Sequence, residues 1–164
     1  MKEFINANRK AFLDMLAISE GTSSSPATRC SGYDVIVTGV DGKPEVFTDF
    51  RNHPFDLGRP SKVINSKGLT SNAAGRYQFM LKDWHHYRDQ LGLLNFGPDS
   101  QDAWALQLIR ERSALPLIDL GNLELAMQRC SNLWASLPGA GYGQHENTYA
   151  KLLTAYQGAG GVLA

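Results

Sequence analysis

Apolar side chains at Ile5, Phe12, Leu13, Leu16 and Ala17 recur at three-, four- and seven-residue intervals, which places them on one stripe of a helix. The pattern predicts a helix over residues 3–20, ended by Gly21. The run GTSSSPATRCSG (21–32) has the Gly, Ser, Thr and Pro content of a loop. YDVIVTG (33–39) and EVFTDF (45–50) are β-branched and aromatic runs on either side of VDGKP, whose Asp41-Gly42 pair suits a hairpin turn. Residues 51–74 show little periodicity and are expected to be loops lining a cleft. Helical spacing returns with Trp84, Tyr87 and Leu91, giving a helix over 81–92 that Gly92 closes. Another is expected to start at Asp99 or Ser100, to run through Trp104, Leu108 and Ile109, and to bend or end at Pro116. Two more are expected over 123–134 and 146–156, and no internal repeat interrupts the series.

One helix, a small β region and then several helices make an α+β class, of the kind seen in lysozyme-like folds and in other α+β domains. The expected arrangement is a single lysozyme-like catalytic domain over 1–164. A β-rich antiparallel lobe at about 30–80 and a mainly helical lobe from 1–29 and 81–164 would have a cleft between them.

Composition narrows the partners. The 164 residues suit one ordinary domain, and 43% apolar with 20% charged residues is globular usage. Sixteen basic residues balance sixteen acidic ones, so the basic excess of a nucleic-acid binder is missing. Locally, Arg51, Arg59, Lys62, Lys67, Arg76 and Lys82 face only Asp56 over residues 51–82, which suits either a wall attracting an anionic polymer or a solvated loop. Cys30 and Cys130 form neither a metal spacing nor a disulfide framework, so free thiols are expected. The first residues, MKEFINANRKAFLDML, scatter charge through the segment and offer neither a signal peptide nor a spanning helix. Synthesis in the cytoplasm and no stable membrane insertion are therefore expected. No pair among His53, His85, His86 and His145 has the helical zinc-hydrolase spacing, so solvated histidines, no metal and no other cofactor are expected. A cysteine peptidase built on Cys30 would need a partner histidine and an oxyanion site, neither of which the sequence signals.

Glu20 is the candidate for chemistry. It lies four residues after Leu16, three after Ala17 and seven after Leu13, so it continues the apolar stripe. Loss of water and the negative end of the helix dipole both raise the pKa of a carboxyl group so placed. A group that keeps its proton near neutrality is what a general acid for glycosidic cleavage needs. The alternative is a carboxylate that bonds to the following loop or points into solvent.

The segment AFLDMLAISEGT around Glu20 resembles the catalytic helix of the phage lambda endolysin family of lytic transglycosylases. GYDVIV and FTD resemble that family's hairpin, AGRYQ (74–78) its second active-site motif, and CSNLWASLPGAGYGQ (130–144) its C-terminal signature. The likeness runs in the same order over nearly the whole chain, with DGKPE as a local insertion. It implies cleavage of the β-1,4 bond between N-acetylmuramic acid and N-acetylglucosamine with formation of a 1,6-anhydro end, one glutamic acid serving as acid and then as base. Bacterial peptidoglycan is then the partner, a separate holin the route to it in the periplasm, and a monomer the acting species.

A hydrolysing muramidase on the same fold usually needs a second carboxylate to position water or attack carbon. Arg29, nine residues after Glu20, stands where one class of phage lysozyme carries such an aspartate. Asp34 and Asp49 remain candidates that are better explained as ties of the hairpin. The muramidase and a non-catalytic glycan-binding module stay as alternatives.

By resemblance, Gln78 is the leading substrate contact. Gly75 would admit backbone close to a sugar, and Tyr77 would offer a stacking face; the alternative is a strand entry in which Gly75 relieves strain, Arg76 is solvated and Tyr77 belongs to the core. Ser136, Leu137, Pro138 and Tyr142 sit in a loop expected to hold a muramyl residue, or else simply to stop the preceding helix. Trp84, Trp104 and Trp134 are expected in the core.

Overall fold

A computed structural model of the chain describes residues 6–164, so the expected helical residues 3–5, including Ile5, lie outside the described part. Six helices and two small antiparallel sheets make up its regular structure, an α+β composition. The described chain divides into two compact units, one of residues 6–20 and 105–164, the other of residues 21–104. No described helix is long and apolar enough to cross a membrane.

The first unit is helical. Helix α1 (Ala7–Ser19) starts where Asn6 caps it, its side chain accepting the N–H of Arg9, and buries Phe12, Leu13, Leu16 and Ala17 as the apolar stripe requires. It packs against α4 (Leu115–Asp119) and α6 (Tyr149–Gly158), and α4 packs against α5 (Leu123–Cys130). Arg9 Nε and Nη2 lie 2.7 and 2.8 Å from the two carboxylate oxygens of Asp119, so a bidentate pair ties the start of α1 to the end of α4.

Several helix boundaries differ from expectation. Pro116 does not end the preceding helix: α3 (Pro98–Glu111) has already stopped before Ser113, which turns at φ 54°, and Pro116 lies in the first turn of α4, where a missing N–H costs nothing. Helix α5 ends at Cys130 rather than near 134, and the chain continues in turns to Pro138. Helix α6 begins at Tyr149, capped by Thr148, so Glu146 lies outside it.

The second unit holds both sheets. Strands β1 (Val35–Ile36) and β2 (Glu45–Val46) pair antiparallel around the expected turn, with Gly42 at φ 69° and its N–H on Gly39 O. Residues 51–74 are not wholly irregular: β3 (Lys62–Val63) and β4 (Thr70–Ser71) form a second hairpin around Gly68. Two-residue strands leave no period for a sequence to show. Helix α2 (Leu81–Leu91) ends on Gly92 in the left-handed region. Its Trp84 joins Trp104 in a core where the Phe79 and Trp104 rings stack at 3.9 Å and 10°.

His53 overturns the expectation of solvated histidines. It is 0% exposed. Its Nδ1 accepts the Phe55 N–H, so Nε2 carries the proton and donates to Phe79 O at 2.9 Å. Burial lowers its pKa, which keeps the ring neutral in the core. His85, His86 and His145 are exposed, and His85 pairs with Asp56.

The basic stretch is partly neutralised from upstream. Arg51 pairs with Asp49, Arg59 and Lys62 both pair with Glu45, and the Arg76 side chain is buried. Lys67 and Lys82 are exposed.

Candidate active site

Glu20 sits at the end of α1, its N–H still bonded to Leu16 O at 2.8 Å, while Gly21 takes φ 72° and turns the chain away. A side chain at position 21 would be strained whatever space it found, so the glycine ends the helix directly after the carboxyl group. Glu20 is half-buried as a residue. Desolvation of its carboxyl group nevertheless pushes the pKa from 4.5 up to about 7, opposed by a hydrogen bond from Ser136. A carboxyl group with that value is half-protonated at neutral pH and can both release and accept a proton there.

Ser136 reaches Glu20 from the far end of the same unit, its Oγ 3.3 Å from Glu20 Oε1 and 2.8 Å from Ser19 Oγ. Asn147, buried just before α6, bonds through its backbone N–H to Ser136 O and through its side chain to Ser19. Ser136, a substrate contact by sequence, is thus joined to the carboxyl group itself, and no sequence signal marks Ser19 or Asn147.

The neighbours of Ser136 separate by exposure. Leu137 is fully buried and Pro138 half-buried. Tyr142 is 56% exposed, with its hydroxyl donating to Asn132 O at 3.1 Å. The glycine-rich segment carrying it is stapled by Glu146, whose two carboxylate oxygens accept the N–H groups of Gly139 and Gly141 at 2.8 and 3.0 Å. Those two bonds lower the pKa of Glu146.

In the second unit, the AGRYQ motif forms a tight loop between Ala74 and Phe79, which bridge to each other. Gly75 has φ 83° and is buried against Gln101 and Phe96, so its missing side chain makes room for protein. Gln101 Oε1 accepts the Arg76 N–H at 2.8 Å, and Tyr77 donates to Asp102 Oδ1 at 2.6 Å. Tyr77 is 0% exposed, which is the core placement rather than the stacking face, while Arg76 beside it is buried rather than solvated. Tyr33 and Tyr77 both donate to Asp102, and the Arg76 guanidinium lies 5.0 Å from the centroid of Tyr33. Burial raises the pKa of Asp102, a group that the sequence did not single out. Gln78 is half-buried at φ 54°, with Nε2 donating to Gly75 O at 3.0 Å. A non-glycine residue in the left-handed region is held there by its surroundings.

The other candidate carboxylates are engaged. Asp34 is buried and accepts from the Thr28 hydroxyl and the Arg29 N–H, so it organises the loop before β1. Asp49 is exposed, and its bonds from Arg51 lower its pKa to about 2. Cys30 and Cys130 are free, and burial pushes the Cys130 thiol up to about 12.

Comparison with known proteins gives the same direction throughout. A family described as Endolysin matches residues 10–163. The chain is 60% identical over 157 residues to the endolysin of Escherichia phage P2, covering 96% of this chain and 95% of that one. It is 54% identical over 160 residues to the endolysin of Escherichia phage lambda, covering 97% and 95%. Its structure is similar to bacteriophage lambda lysozyme complexed with a chitohexasaccharide, with a TM-score of 0.88 at 53% identity over 99% of each chain. A second structure of the lysozyme from bacteriophage lambda matches with a TM-score of 0.84 at 52% identity, again over 99% of each chain. The expected lysozyme-like α+β fold is therefore the observed one.

Proposed function

The chain belongs to the endolysin family, and from that premise we propose that it is a bacteriolytic enzyme cleaving the glycan strands of peptidoglycan as a lytic transglycosylase. The observation that carries the reading is Glu20, a desolvated carboxyl group with a pKa of about 7 at a helix end, held by Ser136. Protonated Glu20 gives its proton to the glycosidic oxygen as the bond from that oxygen to C1 of the muramyl residue breaks. The C6 hydroxyl of the same residue attacks C1 and returns its proton to the carboxylate. The products are a 1,6-anhydromuramyl end and a free 4-hydroxyl, no water is consumed, and Glu20 ends protonated as it began.

One carboxyl group suffices for this sequence, and the commitments of Asp34 and Asp49 to their own loops support a single-carboxylate mechanism over the usual hydrolytic pair. Gln78, Pro138 and the exposed Tyr142 are the proposed sugar contacts. Gly75, Tyr77 and Leu137 are buried, and their proposed part is to hold the loops that carry those contacts. The lambda lysozyme complexed with a chitohexasaccharide supports a glycan as ligand. The reading also takes residues 1–164 as one catalytic domain, acting as a monomer in the periplasm after a separate holin has opened the inner membrane.

Mass spectrometry of muropeptides released from purified wall tests the reaction. Anhydro ends, lighter by one water than reducing ends, are expected. Reducing ends alone would make the protein a muramidase, and binding without any cleavage would make it a glycan-binding module.

A further inference from the structure

The bond from Ser136 to Glu20 is the last link of a chain of hydrogen bonds whose direction is set by its members. The chain starts at Lys151 on the first turn of α6, an exposed residue whose Nζ lies 2.8 Å from Asn147 Oδ1. An ammonium only donates, so the amide oxygen of Asn147 faces it and the amide nitrogen faces the opposite way. That nitrogen lies 3.0 Å from Ser19 O, 3.1 Å from Ser19 Oγ and 3.4 Å from Ser136 O, acceptors all three. The two N–H groups of the amide are shared among these three acceptors, and with Ser19 Oγ taking one of them its own proton has, among the described residues, Ser136 Oγ at 2.8 Å as its partner. Ser136 receives that proton and gives its own to Glu20 Oε1 at 3.3 Å. Reversing the link between the serines would leave the Ser19 proton facing a donor, in a place where an unmatched donor is costly.

We propose that Lys151, Asn147, Ser19 and Ser136 form a one-way relay that keeps Glu20 Oε1 an acceptor, so that Oε2 is the atom that gives and takes the catalytic proton. The proposal rests on the reading of Glu20 as the acid/base group, and its four members act through Glu20 as positioning residues. In the acid form, Oε1 is the carbonyl oxygen and Oε2 carries the proton. After the transfer, the new negative charge is met at Oε1 by the Ser136 hydroxyl. Oε2 stays free to collect the proton of the sugar hydroxyl, so one oxygen serves both half-reactions without rotation of the carboxyl group.

The members come from α1, from the segment after α5, and from the start of α6. Lys151 is the only charged one. Glu146, also in the segment before α6, is turned to the amides of Gly139 and Gly141, and His145 beside it is exposed.

The test is a carbon-13 NMR titration of the Glu20 carboxyl carbon in the full chain, for native protein, Ser136→Ala, Asn147→Asp and the double variant. An aspartate at 147 presents oxygen to both neighbours, so the Ser19 proton turns toward it, the Ser136 proton turns toward Ser19, and Oε1 loses its donor. Ser136→Ala is expected to raise the midpoint by about one pH unit, the worth of one hydrogen bond to a charged group. Asn147→Asp is expected to shift it in the same direction, and to add less than half of that shift once Ser136 is already alanine. An unmoved midpoint in Ser136→Ala, or shifts that simply add, overturns the relay. If Asn147→Asp does not fold, Lys151→Met, a change at an exposed side chain, takes its place in the same cycle. The titration does not depend on activity. Non-additive shifts in a protein inert toward peptidoglycan would therefore sink the functional reading alone, and additive shifts in an active enzyme would sink the relay alone.

Discussion

The Ser136 hydroxyl lies 3.3 Å from Oε1 of Glu20, although 116 positions separate the two residues. Burial raises the pKa of the carboxyl group and this bond lowers it, and the balance lies at about 7. Desolvation wins because one neutral donor at that distance recovers only part of the hydration a carboxylate loses.

Stability should therefore depend on pH through Glu20. Its folded pKa of about 7 lies above the ordinary 4.5, so the folded chain holds this proton more tightly than the unfolded one. The stabilisation is fully present below about 4.5 and is lost as pH rises through about 7. Glu20→Gln is neutral at every pH. Denaturant unfolding should show it close to native in stability near pH 4 and more stable by roughly 3 kcal/mol near pH 9. Equal stability at both ends would contradict a desolvated carboxyl group. The same variant should lose turbidity-clearing activity on purified wall.

The AGRYQ loop gives a second test, because Gly75 has two reasons to be glycine. Its φ is 83°, and an added Cβ would run into Gln101 and meet the Phe96 ring at 3.1 Å. Gly42 shares only the first reason, with φ 69° and nothing within 4 Å. Urea unfolding should show Gly42→Ala destabilised by roughly 1 kcal/mol and Gly75→Ala by roughly 2–4 kcal/mol, the difference measuring close packing rather than backbone conformation.

Tyr77→Phe separates packing from hydrogen bonding in the same region. The ring stays buried, while Asp102 loses the shorter of its two tyrosine donors. A loss of roughly 1–3 kcal/mol is expected in urea unfolding. A loss near zero would mean that the Asp102 carboxyl group carries its own proton, a state that its raised pKa favours.

How much of this could be read from the chain depends on how far apart the interacting groups lie. Phe12, Leu13, Leu16 and Ala17 share one helix, so their stripe and the place of Glu20 on it follow from spacing alone. The β1–β2 hairpin was legible for the same reason, since residues 35–36 and 45–46 meet across one local turn. The β3–β4 hairpin was not, because two-residue strands have too few positions to alternate. His53 looked like any polar loop residue, and only the carbonyl of Phe79 explains its burial. Ser19 and Asn147 carry no motif at all. Their significance is a matter of which hydroxyl meets which amide across 128 residues of chain, and periodicity holds no information about that.

Glu146 is a case in which local reading pointed to the wrong partner. The expected helix over 146–156 includes it, yet Thr148 caps that helix and Glu146 serves the loop before it. Its two oxygens accept the N–H groups of Gly139 and Gly141, one each, across the segment that carries the exposed Tyr142. Those bonds lower its pKa, so the staple is present above the ordinary glutamate range and is lost as pH falls through the depressed folded value. Glu146→Gln keeps one acceptor oxygen and replaces the other with a donor, which cannot receive an amide proton. Amide hydrogen exchange should therefore speed up at one of Gly139 and Gly141 and stay slow at the other, whereas Glu146→Ala should release both. If Tyr142 contacts the glycan, both variants should raise KM for purified wall while the fitted Glu20 pKa stays where it was. Unchanged exchange at both glycines would show that the loop keeps its shape without the carboxylate, and the turns at Gly139, Gly141 and Gly143 would then be sufficient to set it.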